Sequence, residues 1–456
     1  MLTVLCRRAA LLAFFLLIAL SAAATGPGDN DSTEAAEHRG RGPHWLNKLI
    51  GNSPVLRQHQ VGVSIVDVAT GQKLYELNTD RYFVPASNMK LFSLYAGLHL
   101  LGDSLPSLRY TVRHDSLLFW GTGDPTLLHG DVPSRRAFDF LATRPEKLFY
   151  APAPCVAAFG PGWAWDDYNY YYQPERGPFP IYGHTVRFYV KAGQRPRIVP
   201  RYFNPVVAPA PAGYVAPDPD DHVRRAQFEN QFLVLPSNRN WIDETPFRTS
   251  PELLVRLLQD TLRRPVALVP FRLRAQDSVR TLRGLPVDSL YRRMLQVSDN
   301  LLAEQLLLMC ASQLSRDSLD TALAIKVMLN NFLRDLPDRP RWVDGSGLSR
   351  KDLVTPRTMT ALLLKLHQEV PEARLLSLLA AGGGHGSLRR GYHDARGPWA
   401  WAKTGTLSNN HNLSGYLRTK SGRLLAFSFL NNNHVVPTSA VRAEIERVLT
   451  EVRKRW

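Results

Sequence analysis

Apolar positions along the chain follow two periods, and the switches between them divide it. His44 to Asn52 begins the first helix. Val61-Gly62-Val63-Ser64-Ile65-Val66-Asp67-Val68 reads as a strand, Ala69–Gln72 as a turn, and Lys73–Asn78 as the return strand. Behind Pro85, Leu91, Leu94, Tyr95, Leu98 and Leu101 fall at helical spacing. From about Asp103 short candidate strands alternate with Pro/Gly turns: Tyr110–Val112, Ser116–Trp120, Arg187–Val190, Arg197–Tyr202 and Gln231–Val234. Pro196–Pro219 is too rich in proline for long helices. Helical spacing returns at Val287–Val297, Leu301–Ser315, Asp317–Leu336 and Pro356–Glu369. Strands follow at Trp399–Lys403, Leu413–Thr419 and Leu424–Asn431, the last two joined over Lys420-Ser421-Gly422. Ser439–Arg455 closes the chain as an amphipathic helix, with Val441, Ile445, Val448, Leu449 and Val452 on one stripe. This order predicts one α/β (α+β) unit, residues 44–103 and 286–456, split by a β-rich inserted domain over 104–285.

The ends and the composition add a compartment. Arg7 and Arg8 precede an apolar run from Ala9 to Leu20, and Ser21-Ala22-Ala23-Ala24 offers small residues for cleavage. Residues 1–24 therefore read as a secretory signal, and 25–43, polar and glycine-rich, as a flexible tether. A periplasmic location follows. The chain of 456 residues is 44% hydrophobic and 21% charged, which is a globular composition. Its net charge of +16 suits an anionic partner such as a cell-wall polymer or a membrane surface. The basic residues are scattered and not interleaved with aromatics, which argues against nucleic acid. Cys155 and Cys310 read as thiols. No His-Glu-x-x-His or Cys-x-x-Cys occurs, so no metal or cofactor is expected.

Three short stretches carry candidate chemistry. Ser87-Asn88-Met89-Lys90 opens the first helix of the α/β unit, placing Lys90 one turn from Ser87 on the same face. A serine needs a base beside it to act as a nucleophile, and a lysine held neutral can be that base. Ser298-Asp299-Asn300 precedes the helix from Leu301, and Lys403-Thr404-Gly405-Thr406 ends an apolar strand. A Ser-x-x-Lys arises about once by chance in such a chain, a Lys-Thr-Gly on the order of 0.1 times, so the ordered set carries the signal. Acyl transfer requires a nucleophile, a base, a proton route to the leaving amine and a place for the oxyanion. Ser87 and Lys90 fill the first two. Ser298 can relay a proton, and Asn300 can hold substrate backbone. Lys403 adds charge that helps keep Lys90 neutral. Lys403, Thr404 and Thr406 can bind a carboxylate, with Gly405 in the same strand. The N–H groups of Ser87 and Thr406 form the expected oxyanion hole.

Ser-x-x-Lys, Ser-Asp-Asn and Lys-Thr-Gly together are the signature of β-lactamases and penicillin-binding proteins. The sequence resembles the class C low-molecular-mass penicillin-binding proteins, D-alanyl-D-alanine carboxypeptidases/endopeptidases of the bacterial cell wall. The likeness extends to Gly123-Asp124-Pro125-Thr126-Leu127, to Asp344-Gly345-Ser346-Gly347-Leu348-Ser349-Arg350, and to Gly162-Trp163-Ala164-Trp165-Asp166-Asp167. It implies the penicillin-binding-protein/β-lactamase-like serine transpeptidase fold. It implies peptidoglycan stem peptides as substrate and β-lactam antibiotics as covalent inhibitors, with peripheral membrane association compatible with the charge. It also implies that Asp167, Tyr172 and Arg350 line a pocket for the side chain of the stem peptide's third residue. Trp163 and Trp165 read as core packing. Tyr172 replaces a phenylalanine found in some members, and Tyr168–Tyr172 is unusually rich in tyrosine. His385 reads as a loop residue. Two alternatives stay open: a β-lactamase or esterase on the same fold, and a catalytically silent wall-binding protein. No glutamate between Ser298 and Lys403 reads as a dedicated deacylating base. Carboxypeptidase and endopeptidase preference, and the oligomeric state, are not decided by these residues.

Overall fold

The computed structural model describes residues 40–132, 134–155, 157–192, 194–237, 239–315 and 318–456. The expected signal segment 1–24 and nearly all of the tether lie outside them. The end of the tether is fixed in place, because Arg41 exchanges backbone hydrogen bonds with Glu76, 2.7 and 2.9 Å.

Six strands form one antiparallel sheet. In chain order they are β1 (Gln60–Asp67), β2 (Lys73–Leu77), β3 (Ala380–Ala381), β4 (Ala400–Leu407), β5 (Asn410–Arg418) and β6 (Leu424–Asn432). Across the sheet the order is β3-β4-β5-β6-β1-β2, so the first and last hairpins of the sequence meet at its centre. Val61 stands opposite Asn431 and Val66 opposite Ala426. The β4–β5 hairpin is longer than the apolar pattern predicts. Pairing continues through Thr406 opposite His411 to Leu407 opposite Asn410. A tight turn at Ser408-Asn409, with Asn409 at φ +65°, closes it. The added residues are polar, so hydrophobic alternation could not show them.

Helices cover both faces. On one side α1 (His44–Gly51) and the C-terminal helix Thr438–Arg455 bury Leu46, Ile50, Ile445 and Leu449 with Val63, Ile65 and Phe427 of the sheet. On the other, α2 (Lys90–Leu100), α3 (Val287–Gln296), α4 (Asn300–Leu314) and α5 (Pro356–Glu369) pack together. α4 is central: every residue from Leu301 to Ser312 is buried, including Glu304 and Gln305. Its apolar residues therefore ring the helix and do not keep to one face. The helix expected over 317–336 is shorter. Asp320 caps Thr321–Val327, and a π-helical turn, Met328–Phe332, ends it; Asp317 lies outside the described residues.

Between α2 and α3 the chain builds a second sheet of five strands with its own core around Leu117, Phe119, Phe188 and Leu257. Lys147–Tyr150 pairs in parallel with Ser116–Gly121 and with Val266–Leu268. Two helices of this segment, Arg136–Thr143 and Pro251–Leu262, are absent from the sequence reading. The second had a signal: Ser250 accepts from Leu253 N as N-cap, with Pro251 at the first helical position. The strand expected over 197–202 stops at Val199, because Pro200 offers no N–H to the ladder.

Candidate active site

Ser87 lies in a 3-10 turn, Ala86–Met89, that runs into α2; α2 itself starts at Lys90. Ala86 is held at φ +49°, where alanine is uncommon. Two glycines press on this turn. A Cβ on Gly347 would overlap the Ala86 carbonyl oxygen, and one on Gly405 would overlap that of Pro85 and lie 3.1 Å from Ser87 N. Gly347 is also at φ +78°, so only glycine fits there without strain. β4 and the 344–350 loop thus close on the serine's backbone.

Lys90 is fully buried below it. Its Nζ lies 2.9 Å from Ser87 Oγ, 2.6 Å from Asn300 Oδ1 and 2.7 Å from the Ser346 carbonyl oxygen. Burial pushes the ammonium down to about 8, while Asp344, Asp299 and Glu304 pull it back up. Lys403 is also buried, and its Nζ donates to the Thr404 carbonyl at 2.7 Å. Burial lowers it well below the ordinary lysine value, and the charge of Lys90 lowers it further. Desolvation is the larger cause for both lysines, and repulsion between the two disfavours their being charged together.

Asn300 starts α4, and Asp299 caps it by accepting from Leu302 N. Besides receiving Lys90, Asn300 donates from Nδ2 to the Tyr172 carbonyl at 2.8 Å. Both ends of the amide expected to hold substrate are engaged inside the chain. Ser298 sits at φ +66°, a left-handed position for a residue with a side chain.

A cleft of about 790 Å3 opens over these groups. Ser87, Ser298, Asn300, Thr406, Asp167, Tyr172 and Arg350 all line it. The lysines and Gly405 lie beneath, and Thr404 faces a separate cavity. Thr406 Oγ1 lies 2.8 Å from His411 Nδ1. Burial, ahead of the charges of Arg442, His434 and Lys403, pushes His411 down to about 3, so it is neutral. Asp167 and Tyr172 are hydrogen-bonded; burial raises both, and the Asp167 charge raises the tyrosine further. Arg350 donates to the Ser408 carbonyl at 2.8 Å. Among the described residues no ion pair joins Arg350 to Asp167, so each charge faces the cleft without the other.

The core-packing expectation for the two tryptophans is not met. Trp165 is 74% exposed, at the start of a surface 3-10 turn. Trp163 is half-buried and donates from Nε1 to Asp344 Oδ2 at 2.8 Å. The run Asp344–Arg350 stands out in the sequence, but the part its Asp344 and Ser346 play in fixing Lys90 from behind does not. Asp344 also accepts from Gly347 N and Ser349 N, 2.7 and 2.8 Å, which shapes the loop that presents the Ser346 carbonyl. Burial, ahead of the charge of Asp344, pushes the Asp352 carboxyl well up. The available signal was Glu304, a carboxylate inside an apolar helix.

Among solved structures, penicillin binding protein 4 (dacB) from Haemophilus influenzae superposes with a TM-score of 0.68 at 20% identity, covering 90% of this chain and 98% of that one. The fold is therefore the mixed α/β fold of the penicillin-binding proteins. In sequence, carboxypeptidase DacB of Mycolicibacterium smegmatis is 30% identical over 177 residues, 37% of this chain and 38% of the relative. The D-alanyl-D-alanine carboxypeptidase of Actinomadura sp. is 38% identical over 95 residues, 18% and 17% of the two chains. The chain thus spans well under two thirds of these relatives' lengths. The model of the D-Ala-D-Ala carboxypeptidase 3 (S13) family matches residues 44–141 and 265–452. It passes over 142–264, the stretch that holds Asp167 and Tyr172. With more than half of its length so matched and the three motifs gathered around one cleft, this chain belongs to the D-Ala-D-Ala carboxypeptidase 3 (S13) family.

Proposed function

We propose that this protein is an exported serine DD-peptidase of the periplasm. It acts on peptidoglycan stem peptides, removing terminal D-Ala and/or cleaving D-Ala–diaminopimelate cross-links, and it is acylated by β-lactams at Ser87. One observation carries the reading, the set of atoms around Lys90 Nζ. The Asn300 Oδ1 and Ser346 carbonyl oxygens can only accept hydrogen bonds. A neutral amine spends both N–H groups on them, and its lone pair is left facing the Ser87 hydroxyl at 2.9 Å. The lysine is thereby aimed as a base.

The chemistry follows in two halves. As Lys90 takes the hydroxyl proton, Ser87 Oγ bonds to the carbonyl carbon of the penultimate D-Ala. The charge that develops on the carbonyl oxygen is met by the N–H groups of Ser87 and Thr406. The C–N bond breaks and the leaving amine takes a proton through Ser298. Water then attacks the ester, one of its protons passes by way of Lys90 to Ser87 Oγ as the ester C–O bond breaks, and the product leaves as a carboxylate. Thr404 and Thr406 hold the leaving group's carboxylate. Asn300 positions Lys90 and the 168–172 segment. Asp167, Tyr172 and Arg350 receive the zwitterionic end of the third residue, acid and base on separate walls. The inserted segment 104–285 supplies the wall with Asp167 and Tyr172.

The test is incubation of the mature protein with purified muropeptides and resolution of products by mass. Release of D-Ala or conversion of dimers to monomers is expected, and none with Ser87→Ala. A wild-type protein that leaves both substrates intact, or a penicillin adduct that persists in Ser87→Ala, overturns the reading.

A further inference from the structure

Of the residues that line the cavity behind Thr404, the mechanism above uses Thr404 alone. The cavity measures about 480 Å3 and adjoins the main cleft through Val297, the neighbour of Ser298. None of Asp167, Tyr172 and Arg350 lines it, so it lies away from the third-residue pocket. Its walls carry Arg389 and Arg390, from the loop after the glycines 382–384, and Arg442 from the C-terminal helix. On that helix Arg447, Arg453 and Arg455 are all paired with carboxylates. Among the described residues no ion pair or side-chain hydrogen bond is made by Arg389, Arg390 or Arg442. Glu446 is the acid in the lining, and its Oε1 accepts from Tyr392 N at 3.2 Å. His411, neutral for the reason given above, adds no charge. Three arginines therefore line this space against one carboxylate that is already engaged.

We propose that this cavity binds the leaving side of a cross-linked substrate, an anionic peptide with more than one carboxylate, and biases the protein toward cross-link cleavage. The inference rests on the DD-peptidase reading. A single leaving D-alanine needs room for one methyl and one carboxylate beside Thr404 and Thr406. The cavity is of a size that encloses much larger ligands, roughly 300–1,000 Å3. In a cross-link the leaving amine belongs to a second stem, whose side chains bring further carboxylates. Guanidinium forks match carboxylates in shape as well as charge.

The experiment compares the wild-type protein with the double variant Arg389→Ala/Arg390→Ala. Both side chains are exposed, so folding does not depend on them. Initial rates are measured on a cross-linked muropeptide dimer and on a monomeric pentapeptide muropeptide. The ratio of their kcat/KM values is expected to fall ~10-fold or more in favour of the pentapeptide, mostly through KM, as for loss of a charge-assisted hydrogen bond. The double lysine variant is expected to regain part of the ratio, and added salt to lower it in the wild type. An active enzyme whose ratio does not move in the alanine variant overturns this assignment alone. A wild-type protein inactive on both substrates overturns the DD-peptidase reading and this inference with it.

Discussion

Arg176 Nη1 lies 3.0 Å from Glu304 Oε2, with 3% and 1% of the two side chains exposed. The pair joins the inserted segment to the centre of α4. The other carboxylate oxygen of Glu304 accepts from Ser346 N at 2.8 Å, and the Ser346 carbonyl holds Lys90. One buried ion pair thus supports the loop behind the serine. A buried pair adds little net stability, but breaking it strands a charge. Arg176→Met is expected to lower unfolding stability by about 3–5 kcal/mol, read from the shift in urea midpoint. Replacing both partners, Arg176→Met with Glu304→Gln, should recover much of that loss. Two single losses that simply add would show that the residues do not act as a pair.

The pH dependence of acylation follows from Lys90. Its value is pushed down from 10.5 to about 8, so the base is mostly protonated at neutral pH and mostly free above pH 9. The single-turnover rate of penicillin acylation, read as a mass shift, should rise about tenfold between pH 7 and 9. Asp299 is among the charges that raise Lys90, so Asp299→Asn should move the rise to lower pH. Stability has a linked sign. Between about pH 8 and 10.5 the unfolded chain holds a proton that the folded chain has lost, so unfolding stability should increase with pH there.

How far the sequence could be read depended on what each residue's neighbours are. The helix Pro356–Glu369 was legible to the residue, because Thr355 caps it and its apolar face is one stripe. Ser87, Lys90, Ser298 and Asn300 were legible as spaced motifs. The ends of β4 and β5 were not, since Thr404, Thr406, His411 and Asn412 are polar and break the apolar alternation. The Ser346 carbonyl was invisible for another reason: a backbone oxygen has no signature in residue type. Trp165 was misplaced because a tryptophan is usually buried, and nothing local marks one left on a surface turn.

The glycines around the serine give a sharp test. At Gly347 an added methyl meets the Ala86 carbonyl, and the backbone there has φ +78°. Gly347→Ala must either move the 344–350 loop or displace the Ser87 turn. Either shift pulls the Ser346 carbonyl from Lys90 or turns the Ser87 N–H. Loss of one oxyanion donor costs about 100- to 1,000-fold in rate. The acylation rate should fall by that order, with a stability loss of about 1–3 kcal/mol for the strained conformation. Gly71 is a useful control, since its Cβ would meet nothing within 4 Å although its φ is +71°. Gly71→Ala should cost some stability and leave acylation within about twofold. Equal effects of the two substitutions on acylation would contradict a specific role for the Gly347 approach.

On the proposed DD-peptidase reading, selectivity for the third residue of the stem should depend on Asp167. Its carboxyl is raised by burial, and Tyr172 holds it by a hydrogen bond. Arg350, on another wall of the same cleft, is anchored to Ser408. A side chain ending in both an amine and a carboxylate satisfies the two walls together. Acetylating that amine removes the charge Asp167 answers and leaves the carboxylate for Arg350. The wild-type protein should therefore prefer the free-amine stem by ~10- to 100-fold in kcat/KM, a factor set by one charge-assisted hydrogen bond. Asp167→Asn should erase most of that preference, and Tyr172→Phe, which leaves the carboxylate without its hydroxyl partner, should erode it less. Because the Asp167 carboxyl is raised, the wild-type preference should also fade on acidification sooner than for an ordinary aspartate, as the charge is lost. Competition assays with the two stems, followed by mass, read all three outcomes; a preference that survives in Asp167→Asn would place the recognition of the amine elsewhere in the cleft.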